Sequence, residues 1–161
     1  MKFDRPEQEL IHLLSQKRMT LSIAESCTGG LISKIITDAA GSSEVFLGGI
    51  IAYSNKSKID LLKITQELLG SKGAVSEEVA LKMAESAAEI FSSDFSISAT
   101  GIAGPTGDSD EKPVGTVYTV LKYNTGKCEV VKHNFSGVRE KIRFDTASYC
   151  INQLIMYLRN L

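Results

Sequence analysis

"TLSIAESCTGGLISKIITDA", residues 20–39, decides the fold. Its first part, "TLSIA" (20–24), alternates along the chain as a strand does, and "GLISKIITDA" (30–39) carries apolar residues at helical spacing until "AGS" (40–42) breaks it. Between them the stretch turns on Gly29 and Gly30. A strand that passes through a glycine turn into a helix is the first half of a βαβ unit, so the remaining chain should supply more strands with helices between them.

It does so in both directions. Upstream, Asp4 is placed to cap a helix with Pro6 and Glu7 in its first turn and Leu10, Ile11, Leu13 and Leu14 on one face. Downstream, "VFLGGIIAYS" (45–54) reads as a second strand, too apolar for an exposed edge, whose glycines suggest close approach by another backbone. "SKIDLLKITQELL" (57–69) supplies one or two short helices, and Ser76 caps the clearest helix, "EEVALKMAESAAEIF" (77–91), with two acids in its first turn. "DFSISAT" (94–100) is a strand leading into the long loop "GIAGPTGDSDEKPVG" (101–115). "TVYTVLKY" and "CEVVKHNF" form a hairpin across "NTGK", and a final helix over 138–158 carries Ile142, Ala147, Cys150, Ile151, Leu154 and Leu158 on one side. The expectation is an α/β fold: a single layered domain over residues 1–161, a mixed β-sheet flanked by helices.

Composition narrows the function. The 161 residues are 43% hydrophobic, enough to bury one core, and 18 Lys plus Arg against 19 Asp plus Glu leave a net charge of −1. Such a balance provides no broad field for a polyanion, which argues against nucleic acid as a partner. Three cysteines, Cys27, Cys128 and Cys150, are odd in number and lack metal-ligand spacing, and His12 and His133 stand alone, so no metal and reduced thiols are expected. The N-terminal stretch is charged and no apolar run approaches eighteen residues, which points to a cytoplasmic protein with no membrane partner.

Four places could carry chemistry. "ESCTGG" joins a strand to a helix start, where free N–H groups and the helix dipole suit a phosphate or carboxylate; the other reading is a hydroxyl-capped helix start. Cys27 there could be an activated thiol, although a small buried side chain fits it better. "AGSSEVF" (40–46) and "AYSNKSKID" (52–60) place Ser42 and Ser43 before a strand and Tyr53, Lys56 and Lys58 at its end. A lysine acting there as base must be neutral near pH 7, and bringing its pKa from about 10.4 to roughly 7–8 costs on the order of 4 kcal/mol, supplied by desolvation. Otherwise both lysines are solvated. "SISATGIAGP" lets Thr100 and the backbone after it approach a ligand, whereas "SDEK" (109–112), a Ser-x-x-Lys match, lies among acids beside Pro113 and reads as a polar loop. Arg139 and Arg143, four apart, share a helix face that suits a phosphate or pairs with Glu140 and Asp145.

Taken together, "AESCTGG", "GSSEVFLGGIIAYSNKSK", "GAVSEEVA", "SATGIAGPTG" with "KPVGTVY", and "FSGVREKIR" resemble, in order and spacing, the CinA C-terminal domain family, whose characterised members are nicotinamide-nucleotide amidohydrolases. The resemblance covers nearly the whole chain. It implies hydrolysis of the carboxamide of nicotinamide mononucleotide to nicotinic acid mononucleotide and ammonia, a step of pyridine-nucleotide salvage, by a serine–lysine site without cofactor. Residue by residue it implies Ser43, or its neighbour Ser42, as nucleophile and Lys58 as base. It implies a nucleotide held by Ser26, Thr28, Gly29, Tyr53, Thr100 and Arg139, with the phosphate against the N–H groups of 27–30. Homo-oligomers, dimers or larger, are implied as well. The competing expectations are a non-catalytic nucleotide-binding domain and an amidase for another small amide.

Overall fold

The computed structural model describes residues 3–161, so the first two residues of the charged N-terminal stretch lie outside it. Six helices and five strands follow in the order α1 (Pro6–Lys17), β1 (Leu21–Glu25), α2 (Leu31–Thr37), β2 (Phe46–Ile51), α3 (Asn55–Leu62), α4 (Gln66–Lys72), α5 (Glu77–Phe91), β3 (Phe95–Gly101), β4 (Thr116–Lys122), β5 (Cys128–Asn134) and α6 (Arg139–Arg159). A short 3-10 turn at Ser42–Glu44 precedes β2. The strands make one sheet in the order β2-β1-β3-β4-β5. β1 is parallel to both β2 and β3, and the β4–β5 hairpin adds antiparallel strands beside β3. The expected mixed sheet flanked by helices is what the chain builds.

Alternation within the central strands sorts side chains between two layers. Leu21, Ile23, Phe95, Ile97 and Ala99 pack with α1, α2 and α6, whose Leu10, Leu14, Ile32, Ile36, Cys150 and Leu154 complete that core. Ala24 faces the other way, into a cluster with Leu62, Ile64, Val79, Met83 and Ala87 from α3 to α5. On this second side β3 is polar, yet it is buried, because Ser96 Oγ donates to Ala84 O and Ser98 Oγ to Ala80 O, both at 2.6 Å. The small alanines of α5 are what let the helix lie so close to the strand.

Three readings need correction. α1 starts after Arg5, without a side-chain cap, and not from Asp4; Pro at its first position, whose missing N–H needs no acceptor there, sets the start. β2 is the edge strand of the sheet, not an interior one. Its glycines receive side chains rather than another backbone: a Cβ on Gly48 would collide with the Phe91 ring and one on Gly49 with Ser33 Oγ. Leu47 and Ile51, on the same alternation as Gly49, remain about half exposed.

Candidate active site

β1, β2 and β3 end along one edge of the sheet. The connection after β1 goes through α2 on one face, and that after β2 goes through α3 on the other, so a crevice opens where neighbouring strands send their chains apart. Alternation continues past the last residues of β1. Glu25 turns toward α2, and Ser26 turns toward α3.

α3 begins three residues after β2 ends, fixed by reciprocal bonds in which the Ser57 N–H donates to Ser54 Oγ and the Ser54 N–H donates to Ser57 Oγ. One turn in, Lys58 points inward. It is 1% exposed, and its Nζ lies 2.9 Å from Ser26 Oγ, 2.7 Å from Ala52 O and 3.4 Å from Tyr53 O. Burial pulls its pKa below the ordinary 10.5, because removing the ammonium from water disfavours the charged form. Lys56, two residues earlier, is solvated and pairs with Asp60. Of the two candidate lysines, only Lys58 is placed to act as a base.

The partners of Lys58 determine what it can do. Both carbonyls accept only, so a neutral amine gives them its two N–H bonds and keeps its lone pair for the Ser26 hydroxyl proton. Beside this pair lies a cavity of about 370 Å³, bordered by Tyr53, Thr100, Arg139 and the backbone of 101–107. Among the described residues no carboxylate lines it, so Arg139 leaves it electropositive even with Lys58 neutral. Arg139 crosses the mouth: Nη1 donates to Gly104 O at 2.7 Å and Nη2 to the Tyr53 hydroxyl at 2.8 Å. Thr100 Oγ1 donates to Ala74 O at 2.8 Å and keeps its lone pairs.

Ser26, Tyr53, Lys58, Thr100 and Arg139 are therefore brought together as expected. Ser43 and Ser42 are not. They lie in the turn before β2, whereas Lys58 follows its far end, and six residues of strand at roughly 3.3 Å each put them about 20 Å apart. A serine before a strand and a lysine after it cannot meet unless the chain doubles back. Thr28 and Gly29 also fall outside the cavity wall. Thr28 is fully buried and its carbonyl accepts from Arg143 Nη2 at 2.7 Å, which diverts Arg143 from any ligand shared with Arg139.

Of the expected phosphate cradle at 27–30, the Gly29 and Gly30 amides are already taken. Glu25 Oε2 accepts from the N–H groups of Gly30 (3.0 Å) and Ile32 (3.1 Å), and Oε1 from the N–H of Ser33 (2.9 Å), while the Gly29 N–H donates to Ser26 O. The chain's own carboxylate already occupies the anion position. Among the described residues, the N–H groups of Ala103, Gly104, Thr106 and Gly107 meet no acceptor in the chain, and Gly104 holds its left-handed φ of 78° in that loop. These donors border the same cavity as Arg139; the sequence pointed to the backbone after Thr100, but a glycine-rich loop does not announce which of its amides stay free. Asn55, one turn before Lys58 on α3, is a further lining residue not singled out earlier.

Cys27 and the histidines are set aside by their surroundings. Cys27 is 6% exposed and its thiol is pushed up to about 12 by burial, so it stays protonated. His133 bonds Thr119 Oγ1 and stacks on Phe135, and His12 packs on Phe3; neither borders the cavity. Among the described residues no cluster of three His, Cys, Asp or Glu side chains could hold a metal, and no helix is long and apolar enough to cross a membrane.

Comparison with known proteins agrees with this architecture. A CinA-like protein of Geotalea daltonii is 52% identical over 142 residues, 88% of this chain and 34% of the relative. A putative competence-damage inducible protein of Thermoanaerobacter pseudethanolicus is 45% identical over 152 residues, 94% of this chain and 37% of the relative. The chain thus spans about a third of the length of the curated relatives it matches. Among solved structures, the competence/damage inducible protein CihA from Agrobacterium tumefaciens superposes with a TM-score of 0.88 at 36% identity, covering 99% of both chains. A CinA superfamily protein from Klebsiella pneumoniae gives 0.92 at 26% identity, covering 97% of both. The family profile for the CinA C-terminal domain matches residues 4–158. Matched over residues 4–158 by the family profile and over most of its length by these relatives, the chain belongs to the CinA C-terminal domain family.

Proposed function

We propose that this domain hydrolyses the carboxamide of nicotinamide mononucleotide to nicotinic acid mononucleotide and ammonia, with Ser26 as nucleophile and Lys58 as general base. The observation that carries the reading is the buried Lys58 amine at 2.9 Å from the Ser26 hydroxyl, its other two hydrogen-bonding directions taken by carbonyls.

In this mechanism Ser26 Oγ attacks the carboxamide carbon as its proton passes to Lys58 Nζ. The oxygen of the amide gains negative charge, and the backbone N–H of Cys27, which borders the cavity and meets no oxygen acceptor among the described residues, is the donor available to it. Lys58 then returns the proton to the departing nitrogen, which leaves as ammonia, and an ester on Ser26 remains. Water attacks that ester with Lys58 again taking a proton, releasing the carboxylic acid and restoring the serine hydroxyl. No cofactor enters.

The nucleotide's charge fits the remaining wall. Its phosphate accepts from Arg139 and from the free amides of Ala103, Gly104, Thr106 and Gly107, with Tyr53 and Thr100 between the two ends. The decisive experiment is ammonia release from nicotinamide mononucleotide by purified protein. Turnover that disappears in Ser26→Ala and Lys58→Met supports the reading; none above those controls refutes it.

A further inference from the structure

We propose that Glu25 is a positioning residue that holds the Ser26–Lys58 pair in register. Its carboxylate is fully buried, forms no ion pair among the described residues, and accepts four hydrogen bonds, from the N–H groups of Gly30, Ile32 and Ser33 and from Ser33 Oγ (2.7 Å). Every one of those donors belongs to the first turn of α2 or to its N-cap, Gly30, so the positive end of that helix compensates the charge. Side chain and backbone of this one residue therefore join three elements. The carboxylate ties the end of β1 to α2, and the Glu25 carbonyl accepts from the Ala52 N–H at 2.8 Å, just beyond β2.

The latter bond matters because Ala52 O is the closest partner of the Lys58 amine. Ser26 is covalently next to Glu25, and Lys58 is hydrogen-bonded to the residue that Glu25 holds. The two members of the pair are thus referred to a single anchor. From the opposite side Arg143 Nη2 pulls on Thr28 O, and a Cβ on Gly29 would press on that guanidinium at 3.3 Å. Held between a carboxylate and a guanidinium, the turn 26–30 keeps the amide of Cys27, which borders the cavity, without an oxygen acceptor among the described residues and available where charge develops during amide attack.

This inference rests on Ser26 and Lys58 acting as proposed above, and its test separates the two. Glu25→Gln keeps the volume but places an amide N–H₂ against N–H donors, breaking part of the anchor. In the full chain, kcat for ammonia release should fall roughly 100-fold, as misplacement of reacting groups does, while KM changes less than about threefold. The pH at which the rate rises should move upward as water reaches Lys58, and Glu25→Asp, which keeps the charge, should recover part of the rate. Independently of turnover, a crystal structure of Glu25→Gln should show Ser26 Oγ and Lys58 Nζ separated from 2.9 Å to beyond hydrogen-bond range. Unchanged kcat with an unmoved pH profile, or a pair still in contact in the variant, would overturn the role of Glu25. An inactive wild-type protein would remove the deamidase reading, and the variant structure would still decide the positioning role. If Glu25→Gln does not fold, Ser33→Ala, which removes one hydroxyl donor and keeps the N–H, should lower kcat several-fold with KM unchanged.

Discussion

Two cavities on this domain teach opposite lessons. The one at the ends of the parallel strands, about 370 Å³, has a guanidinium, a buried amine, hydroxyls and unpaired backbone amides in its wall. The groove between the β4–β5 hairpin and the second half of α6 is somewhat larger, about 440 Å³, and is lined by Tyr123, Tyr149, Tyr157 and Met156 with Glu129. Its wall is largely aromatic: the Tyr123 hydroxyl donates to Glu129, and the Tyr123 and Tyr157 rings pack at 4.3 Å. Size does not distinguish them. What does is that parallel strands release three chains at one edge, so side chains from different segments converge, whereas a hairpin returns its chain locally.

The largest expected effects would break this contrast if they failed. Ser26→Ala and Lys58→Met should each cut deamidation by on the order of 1,000-fold or more, while Ser43→Ala, at the opposite end of β2, stays within about twofold of wild type. Steady-state ammonia assays on the three variants check this. Next comes charge. Because burial lowers the pKa of Lys58, kcat/KM should rise with pH as the amine loses its proton, with a midpoint below the ordinary 10.5. Folding stability has the same sign: between the lowered folded value and 10.5 the unfolded chain binds the extra proton, so stability increases with pH there, and Lys58→Met removes that slope in denaturant titrations.

Arg139→Ala sharpens the comparison at the ligand end. A charge-assisted bond to phosphate is worth about 1.5–3 kcal/mol, so KM for the nucleotide should rise roughly 10- to 100-fold, with the unphosphorylated nucleoside affected far less. Smallest is Tyr123→Phe in the other groove. It removes one hydrogen bond to an exposed carboxylate, costing about 1 kcal/mol or less in chemical denaturation, and leaves turnover unchanged.

Much of this was legible in the chain. Period-two alternation through "TLSIA" and the helical spacing after Gly30 placed β1, within a residue, and α2, and the Ser76 cap located α5 to the residue. The strand end narrowed the base to Lys56 or Lys58, and the family resemblance pointed to Lys58. Ser26 was legible only as a binding group, because which hydroxyl faces the amine depends on α3 folding back over β1, a contact 32 residues apart. The misplacement of Ser43 has the same origin: spacing along β2 is readable, but spacing alone does not say that its two ends look away from each other. Glu25 was hidden because a glutamate inside an apolar strand looks like an ordinary polar alternation until the helix amides that it satisfies are seen.

The two serine hydroxyls that clasp α5 to β3 have a mechanical consequence. Ser96 and Ser98 grip carbonyls one turn apart, and the next residue of the same alternation, Thr100, grips Ala74 just ahead of that helix. Helix and strand are therefore stitched at three successive points and move as one plate. A substitution on the outer side of α5 that tilts the helix would be transmitted along that seam to Thr100, so activity could change at a distance while the serine and lysine themselves remain intact.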